Sequence, residues 1–360
     1  MSSEQERPRV DSMKGQLFAF DWTAVDVATG VKFAIGVATV TILSSFFPFE
    51  AMVAGVGALL AWLCDVPGST ADQVRGLLAF GLLGVPVTLL AQSLGANLWV
   101  HVAVLFAVSL AGTMLMMKGT RVFMVSWGLI YWFLLAPLFG SPGAGSWPTI
   151  QSFLLGVGVV VALTLIAAWL EKAPASLSEA PDIPYQPTVE PEEQVDPRLA
   201  LGYSLTVAAT MAVCLVIGGL WVESDYTLIA GAAFMVIGMN KRQTWLAGIG
   251  RGIGAVAGIV VGFYLVPVLQ GDLVSLVFGA VTCFLAIALA GVNPAMFIFF
   301  FMIYLSPGWL AQGLEQANLI ANERILAEIT GVLAAGIAVS VLTAWSSSRP
   351  EQSPDAAPGA

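Results

Sequence analysis

Charge is what this sequence has least of. Only 10% of its 360 residues are Asp, Glu, Lys or Arg, where a soluble domain carries roughly a quarter. With 58% hydrophobic residues, nothing remains to cover a soluble globule, so that class is excluded. Histidine is nearly absent too: His101 stands alone. The three cysteines, Cys64, Cys214 and Cys283, lie inside apolar runs and form no CxxC pair. A metal centre or a disulfide framework needs spacing or exposure that these lack, so neither a metal nor a cofactor is expected. Nucleophile-elbow and P-loop patterns are missing. The glycine-rich runs GVKFAIG and GRGIGAVAG follow no strand, so an enzyme is not expected. The first 30 residues are polar and hold no apolar core before a cleavage site, so no signal peptide is expected.

Long apolar runs are what is present. A helix needs about 20 apolar residues to cross roughly 30 Å of hydrocarbon. Such runs fall at about 31–48, 51–66, 76–94, 98–117, 122–139 and 150–170, and again at 200–222, 226–239, 244–269, 273–291, 294–310 and 325–347. The expected fold is an all-α integral membrane protein of about twelve transmembrane helices. Its parts are an N-terminal segment (1–30), a first six-helix repeat (31–170), a linker (171–199), a second six-helix repeat (200–347) and a tail (348–360). The linker carries six prolines and seven acids against two bases, a composition that cannot bury enough apolar surface to order itself. More than half of the net charge of −9 sits there, so the acidity says nothing about basic partners, and no nucleic-acid partner is expected. Residues 16–28 are mildly amphipathic and suit a membrane surface.

Orientation follows from the bases. With a cytoplasmic N-terminus, thirteen of the fourteen Lys and Arg fall on the inner side, and Arg324 alone falls outside. Outer stretches such as 139–149 hold neither residue. This one-sided bias predicts a bacterial inner-membrane protein with both termini in the cytoplasm.

The two halves echo each other. Ala54-Gly55 recurs as Ala230-Gly231 and Arg75-Gly76 as Arg251-Gly252, each 176 positions on; Ile130-Tyr131 recurs as Ile303-Tyr304, 173 positions on. Trp169 and Trp345 end the sixth and twelfth runs. An even number of helices per half gives the halves the same orientation. The second and eighth runs are both short, and paired short segments point to a transport site at a repeat interface; tightly packed glycine-rich faces are the plainer reading.

Within the ninth run, Gly254, Gly258 and Gly262 form a smooth face for another helix. Arg251 lies about two turns into that run, where an arginine either binds an anion or snorkels toward phosphates; Arg75 is its expected mate. Phe123, Trp127 and Tyr131 share one helix face, with Met296, Phe300 and Tyr304 at the repeat positions. These rings suit an aromatic carboxylate or simple packing. For proton coupling the candidates are Glu328, which can pair with Arg324 one turn earlier, and His101. Glu50, Glu223 and Asp225 mark outer turns.

The run Lys241-Arg242-Gln243-Thr244 followed by Arg251-x-x-Gly254-x-x-x-Gly258, with a last helix opened by Arg324 and closed by Trp345, resembles the fusaric acid resistance and aromatic acid exporter superfamily. The resemblance covers most of residues 30–347 and is clearest in the second half. After Arg75 the glycines (Gly76, Gly81, Gly84) leave that register, and a short linker replaces the exporters' large soluble domain. The resemblance implies a secondary transporter that exports aromatic or other organic acids, with a small organic anion as substrate and a periplasmic adaptor protein as partner. Alternatives are a major-facilitator-type transporter, a passive anion channel and a non-transporting assembly protein. Of the major-facilitator loop signature, only the first part matches Gly68 to Arg75. Homo-oligomerisation is left open by the sequence.

Overall fold

The computed structural model describes residues 20–47, 49–66, 68–94, 97–139, 145–170, 197–221, 227–238, 241–265, 272–310 and 314–347. Among these residues the chain is all helix and turn, with no strand. Twelve α-helices follow in order: α1 Val27–Phe46, α2 Ala51–Leu63, α3 Thr70–Ser93, α4 Leu98–Met114, α5 Thr120–Leu135, α6 Trp147–Leu170, α7 Pro197–Trp221, α8 Thr227–Val236, α9 Lys241–Leu265, α10 Asp272–Ala288, α11 Pro294–Leu310 and α12 Leu314–Ser347. Side chains close several helix starts. Asp26 accepts from Thr29 N at 2.9 Å, Asn97 from Val100 N at 3.2 Å and Asn293 from Ala295 N at 2.9 Å, each occupying an amide that the first turn leaves open.

Eight helical stretches are long and apolar enough to cross a membrane. Their outward faces carry bare aliphatics, such as Leu82 at 71% and Leu220 at 72% exposure, and only hydrocarbon accepts that much apolar surface. This is a multi-pass membrane protein. The four remaining helices are apolar but shorter. Among them α8 is 10 residues long and wholly buried, and α2 is 13 residues long and almost wholly so. At 1.5 Å per residue they cover about 15 and 20 Å, short of a full crossing.

Two expected boundaries shift. α12 begins at Leu314 rather than near 325 and runs 34 residues. Its first turns hold Glu315, Asn318, Asn322, Glu323 and Arg324, which a search for apolar runs rejects. Arg324 therefore lies inside the helix and does not open it. α7 begins at Pro197, inside the expected linker, because a proline at the first helical position needs no amide partner. Residues 171–196 of the linker, residues 1–19 and the tail 348–360 lie outside the described residues.

Packing joins the two halves of the chain. α1 lies along α10, and α4 along α7. Asp21 N donates to Val292 O at 3.1 Å and Asp26 N to Ala288 O at 3.0 Å, tying the start of α1 to the turn after α10. The short helices are held by glycines. Gly156 of α6 sits against the backbone of Ala54 and Ala58 in α2, and Gly331 of α12 against that of Ile229 and Ala233 in α8.

A buried arginine–glutamate–arginine site

The glycines of α9 decide where Arg251 goes. Gly254, Gly258 and Gly262 lie against α11, where a Cβ would meet Ala295, Phe299, Met302 and Ser306. Gly248, on another side of the helix, lies against Val332 of α12. Removing the Cβ lets the backbones approach, and Arg251 is carried into the seam between α9 and α12. It stands ten residues past Lys241, about 15 Å along a helix of about 37 Å, close to mid-span.

There Arg251 grips Glu328 with both arms of its fork. Nε donates to Oε2 at 2.6 Å and Nη2 donates to Oε1 at 2.8 Å. Arg324, one turn away on α12, reaches the same Oε1 through Nη2 at 3.2 Å. Arg251 and Glu328 are 1% and 0% exposed, and Arg324 is 8% exposed. Burying such charges costs several kcal/mol per ion before pairing, and bidentate geometry is what makes the arrangement tolerable. The three touching side chains sum to one positive charge. Glu323, the next residue along the helix from Arg324, is also buried but projects about 100° away around the axis.

The i, i+4 pairing of Arg324 with Glu328 is as its spacing implies. The partnership of Glu328 with Arg251 is not readable from spacing, because 77 positions separate them. Arg75 is not brought to this cluster. It lies in the second turn of α3 with its side chain 78% exposed, 3.4 Å from Asp72, which also faces Arg121 at 3.9 Å. Exposed pairs of this kind contribute little.

The aromatic residues divide between two places. Trp127 and Tyr131 of α5 stack on each other at 5.9 Å, and both stack on Phe234 of α8 at 5.4 and 6.4 Å. Phe234 completes a three-ring pile that the spacing of α5 alone does not reveal. Phe123 is buried one turn before Trp127. Tyr131 also faces Gly231 of α8. On α11, Phe300 packs edge-on to Phe299 at 4.9 Å and Tyr304 stacks with Phe301 at 6.3 Å. The Tyr304 hydroxyl lies 2.6 Å from where a Cβ on Gly55 of α2 would stand. No ring contact joins the two groups among the described residues. His101 is buried in α4, edge-on to Phe133 of α5 at 5.4 Å. Glu50 precedes α2, its amide donates to Ser152 Oγ at 2.9 Å, and burial pushes its carboxyl above the usual range; Glu223 and Asp225 lie outside the described residues. The three cysteines are buried thiols. Among the described residues, no cluster of His, Cys, Asp and Glu could hold a metal ion.

No curated protein and no solved structure matches this chain. The second half, which holds all three residues of the charged cluster, carries a domain that matches the fusaric acid resistance protein-like family over residues 208–341.

Proposed function

We propose that the protein is a secondary transporter that exports aromatic or other organic acids across the bacterial inner membrane. The observation that carries this reading is the Arg251–Glu328–Arg324 cluster, buried near mid-span inside the family-matched stretch. Ionisable groups at that depth are costly and normally mark a pathway for ions or substrates. The guanidinium groups of Arg251 and Arg324 are of the chemistry that binds a carboxylate. The aromatic groups border both short helices, with Trp127 and Tyr131 stacked on Phe234 of α8 and the Tyr304 hydroxyl beside Gly55 of α2; in this reading these rings, with Phe123 and Phe300 one turn before Trp127 and Tyr304, take the aromatic body of the substrate. Arg75, exposed and on Asp72, is left out of the proposed site. His101 and Glu328 remain the candidate groups for coupling.

We further propose twelve crossings in two parallel six-helix repeats with both termini cytoplasmic. Reciprocal packing supports the repeats. Tyr131 meets Gly231 as Tyr304 meets Gly55, and Gly156 grips α2 as Gly331 grips α8. The contacts also suggest a register. Gly81 faces Val157 as Gly248 faces Val332, which makes Gly84 and Phe153 the counterparts of Arg251 and Glu328. In the first half that position is filled by rings, with Phe153 stacked on Trp132 at 4.4 Å and edge-on to Phe80 at 5.3 Å. Among the described residues the charged site then occurs once. A periplasmic adaptor and self-association are parts of this proposal that rest on the family resemblance.

The test is flux of a radiolabelled aromatic carboxylate from liposomes at pH 7.5, where roughly one part in a thousand is the permeant neutral acid. Arg251→Lys keeps the charge and loses the fork, and is expected to cut flux at least tenfold at matched abundance, while Arg75→Lys transports like wild type. Absence of protein-dependent flux would favour a non-transporting assembly role.

A further inference from the structure

The link between α2 and α3 carries an acid that the proposed transport site does not use. Asp65 follows the last turn of α2, its amide donating to Trp62 O at 2.9 Å. The carbonyl end of a helix holds partial negative charge, so a carboxylate is poorly placed there. Its Oδ1 is buried with no hydrogen-bond partner, although buried polar atoms are nearly always satisfied. Burial raises the carboxyl to about 6, against the pull of Lys32 and then of Arg121.

The charged groups around Asp65 come from three helices. α1 supplies Lys32. α5 supplies Arg121, whose Nη2 lies 2.6 Å from where a Cβ on Gly68 would stand and whose Nη1 lies 3.9 Å from Asp72 of α3. Asp72 also faces Arg75 at 3.4 Å. α6 packs on α2 as well but has no charged residue, and the buried Cys64 thiol donates to Met124 O at 3.2 Å. Packing alone does not call for an acid here. In the second half, the stretch 237–244 after α8 holds no carboxylate. There Gly238 N donates to Thr244 Oγ1 at 3.0 Å and the Tyr203 hydroxyl donates to Ile237 O at 3.2 Å, so neutral hydrogen bonds serve the same junction. Asp65 differs also from His101 and Glu328, which are sealed from water at 1% and 0% exposure. It is half-buried at the face that the proposed topology turns to the cytoplasm, where water can deliver a proton.

We infer that Asp65 is a proton-binding site on the cytoplasmic face, filled while the α2–α3 link is packed as seen here and emptied when that link opens to water. The neutral acid suits the buried position, so a bound proton favours the packed link. The carboxylate needs hydration, so rising pH favours opening. Lys32 and Arg121 keep the proton exchangeable, since without their charge it would be held more tightly. Asp72 acts in the opposite sense, because it competes for Arg121.

The experiment uses the full-length protein in liposomes and reads no flux, so its failure and that of the transport reading are distinguishable. Infrared difference spectra between about pH 5 and 8 are expected to show a protonated-carboxyl band with a midpoint of about 6 that Asp65→Asn removes. Arg121→Gln should raise that midpoint by about one unit, and Asp72→Asn should lower it. Amide exchange over residues 62–72, corrected for its intrinsic pH dependence, should quicken as pH rises through the midpoint, and Asp65→Asn should flatten that response. Spectra unchanged by Asp65→Asn would place Asp65 among ordinary carboxylates and overturn the inference. The same pH response of exchange in wild type and Asp65→Asn would overturn it too. If Asp65→Asn fails to fold, Arg121→Gln keeps the test decisive, because an unshifted midpoint there removes Asp65 as the group that titrates.

Discussion

Glu328 holds two guanidinium groups at once, so the consequences of changing any member of the cluster are unequal. Glu328→Gln leaves two arginines buried without their counter-charge, and such uncompensated burial costs about 3–5 kcal/mol. Its abundance and melting temperature in detergent are expected to fall sharply, and the exchanged pair Arg251→Glu with Glu328→Arg should recover part of the loss. Equal instability of the exchanged pair would show that the local field, not the pairing, matters. Asp65, in the link between α2 and α3, behaves differently. It is partly buried, and desolvation raises its carboxyl to about 6 despite the opposing pull of Lys32 and Arg121. A raised carboxylate value means the folded protein binds the proton more tightly than the unfolded chain does. The resulting penalty is absent below about 4, grows through pH 4–6 and is complete above 6. Asp65→Asn should therefore raise the melting temperature at pH 7.5, by the equivalent of roughly 1–3 kcal/mol, with a smaller gain at pH 5. A gain independent of pH would place its origin elsewhere.

At the scale of elements, the glycines of α9 are not interchangeable. Gly258 faces the backbone of Phe299 and the Cβ of Met302, whereas Gly252 has open space where a Cβ would go. Gly258→Ala should separate α9 from α11 and lower the melting temperature. Gly252→Ala should raise it slightly, because alanine loses less backbone entropy in a helix by about 0.5–1 kcal/mol. Opposite signs in thermal melts check this directly. The packing role of Gly254, Gly258 and Gly262 was legible because a four-residue spacing lines one helix face. The start of α12 was not: its outer turns are polar, and they are helical because the same helix continues into an apolar span. The pile of Trp127 and Tyr131 was half legible, since spacing shows a shared face but cannot name Phe234 as the surface it meets. That pile also alters what a truncation reports. Trp127→Ala removes a packed ring and is expected to cost about 3–5 kcal/mol of stability, so Trp127→Phe is the better probe of substrate contact.

For the whole molecule, the proposed topology places the turn before α6 outside the cell and the turn before α3 inside. Trp147 and Ser69 are exposed at those turns. Trp147→Cys is expected to react with an impermeant maleimide in intact cells, and Ser69→Cys only after lysis; the reverse pattern would sink the arrangement. The expectation rests on the distribution of lysine and arginine, which insertion into a bilayer reads residue by residue. That property is local, as are apolar run length and helix-face spacing, and so the membrane class, the helix order, the two short segments and the Arg324–Glu328 pair were all determined by the sequence itself. Partnerships between distant helices are not local. Arg75 and Arg251 are alike as short motifs, yet one ends exposed on Asp72 and the other buried on Glu328, because depth along a helix and the choice of neighbouring helix separate them. Only tertiary packing, with glycines bringing α9 against α11 and α12, decided which arginine meets a carboxylate inside the bundle.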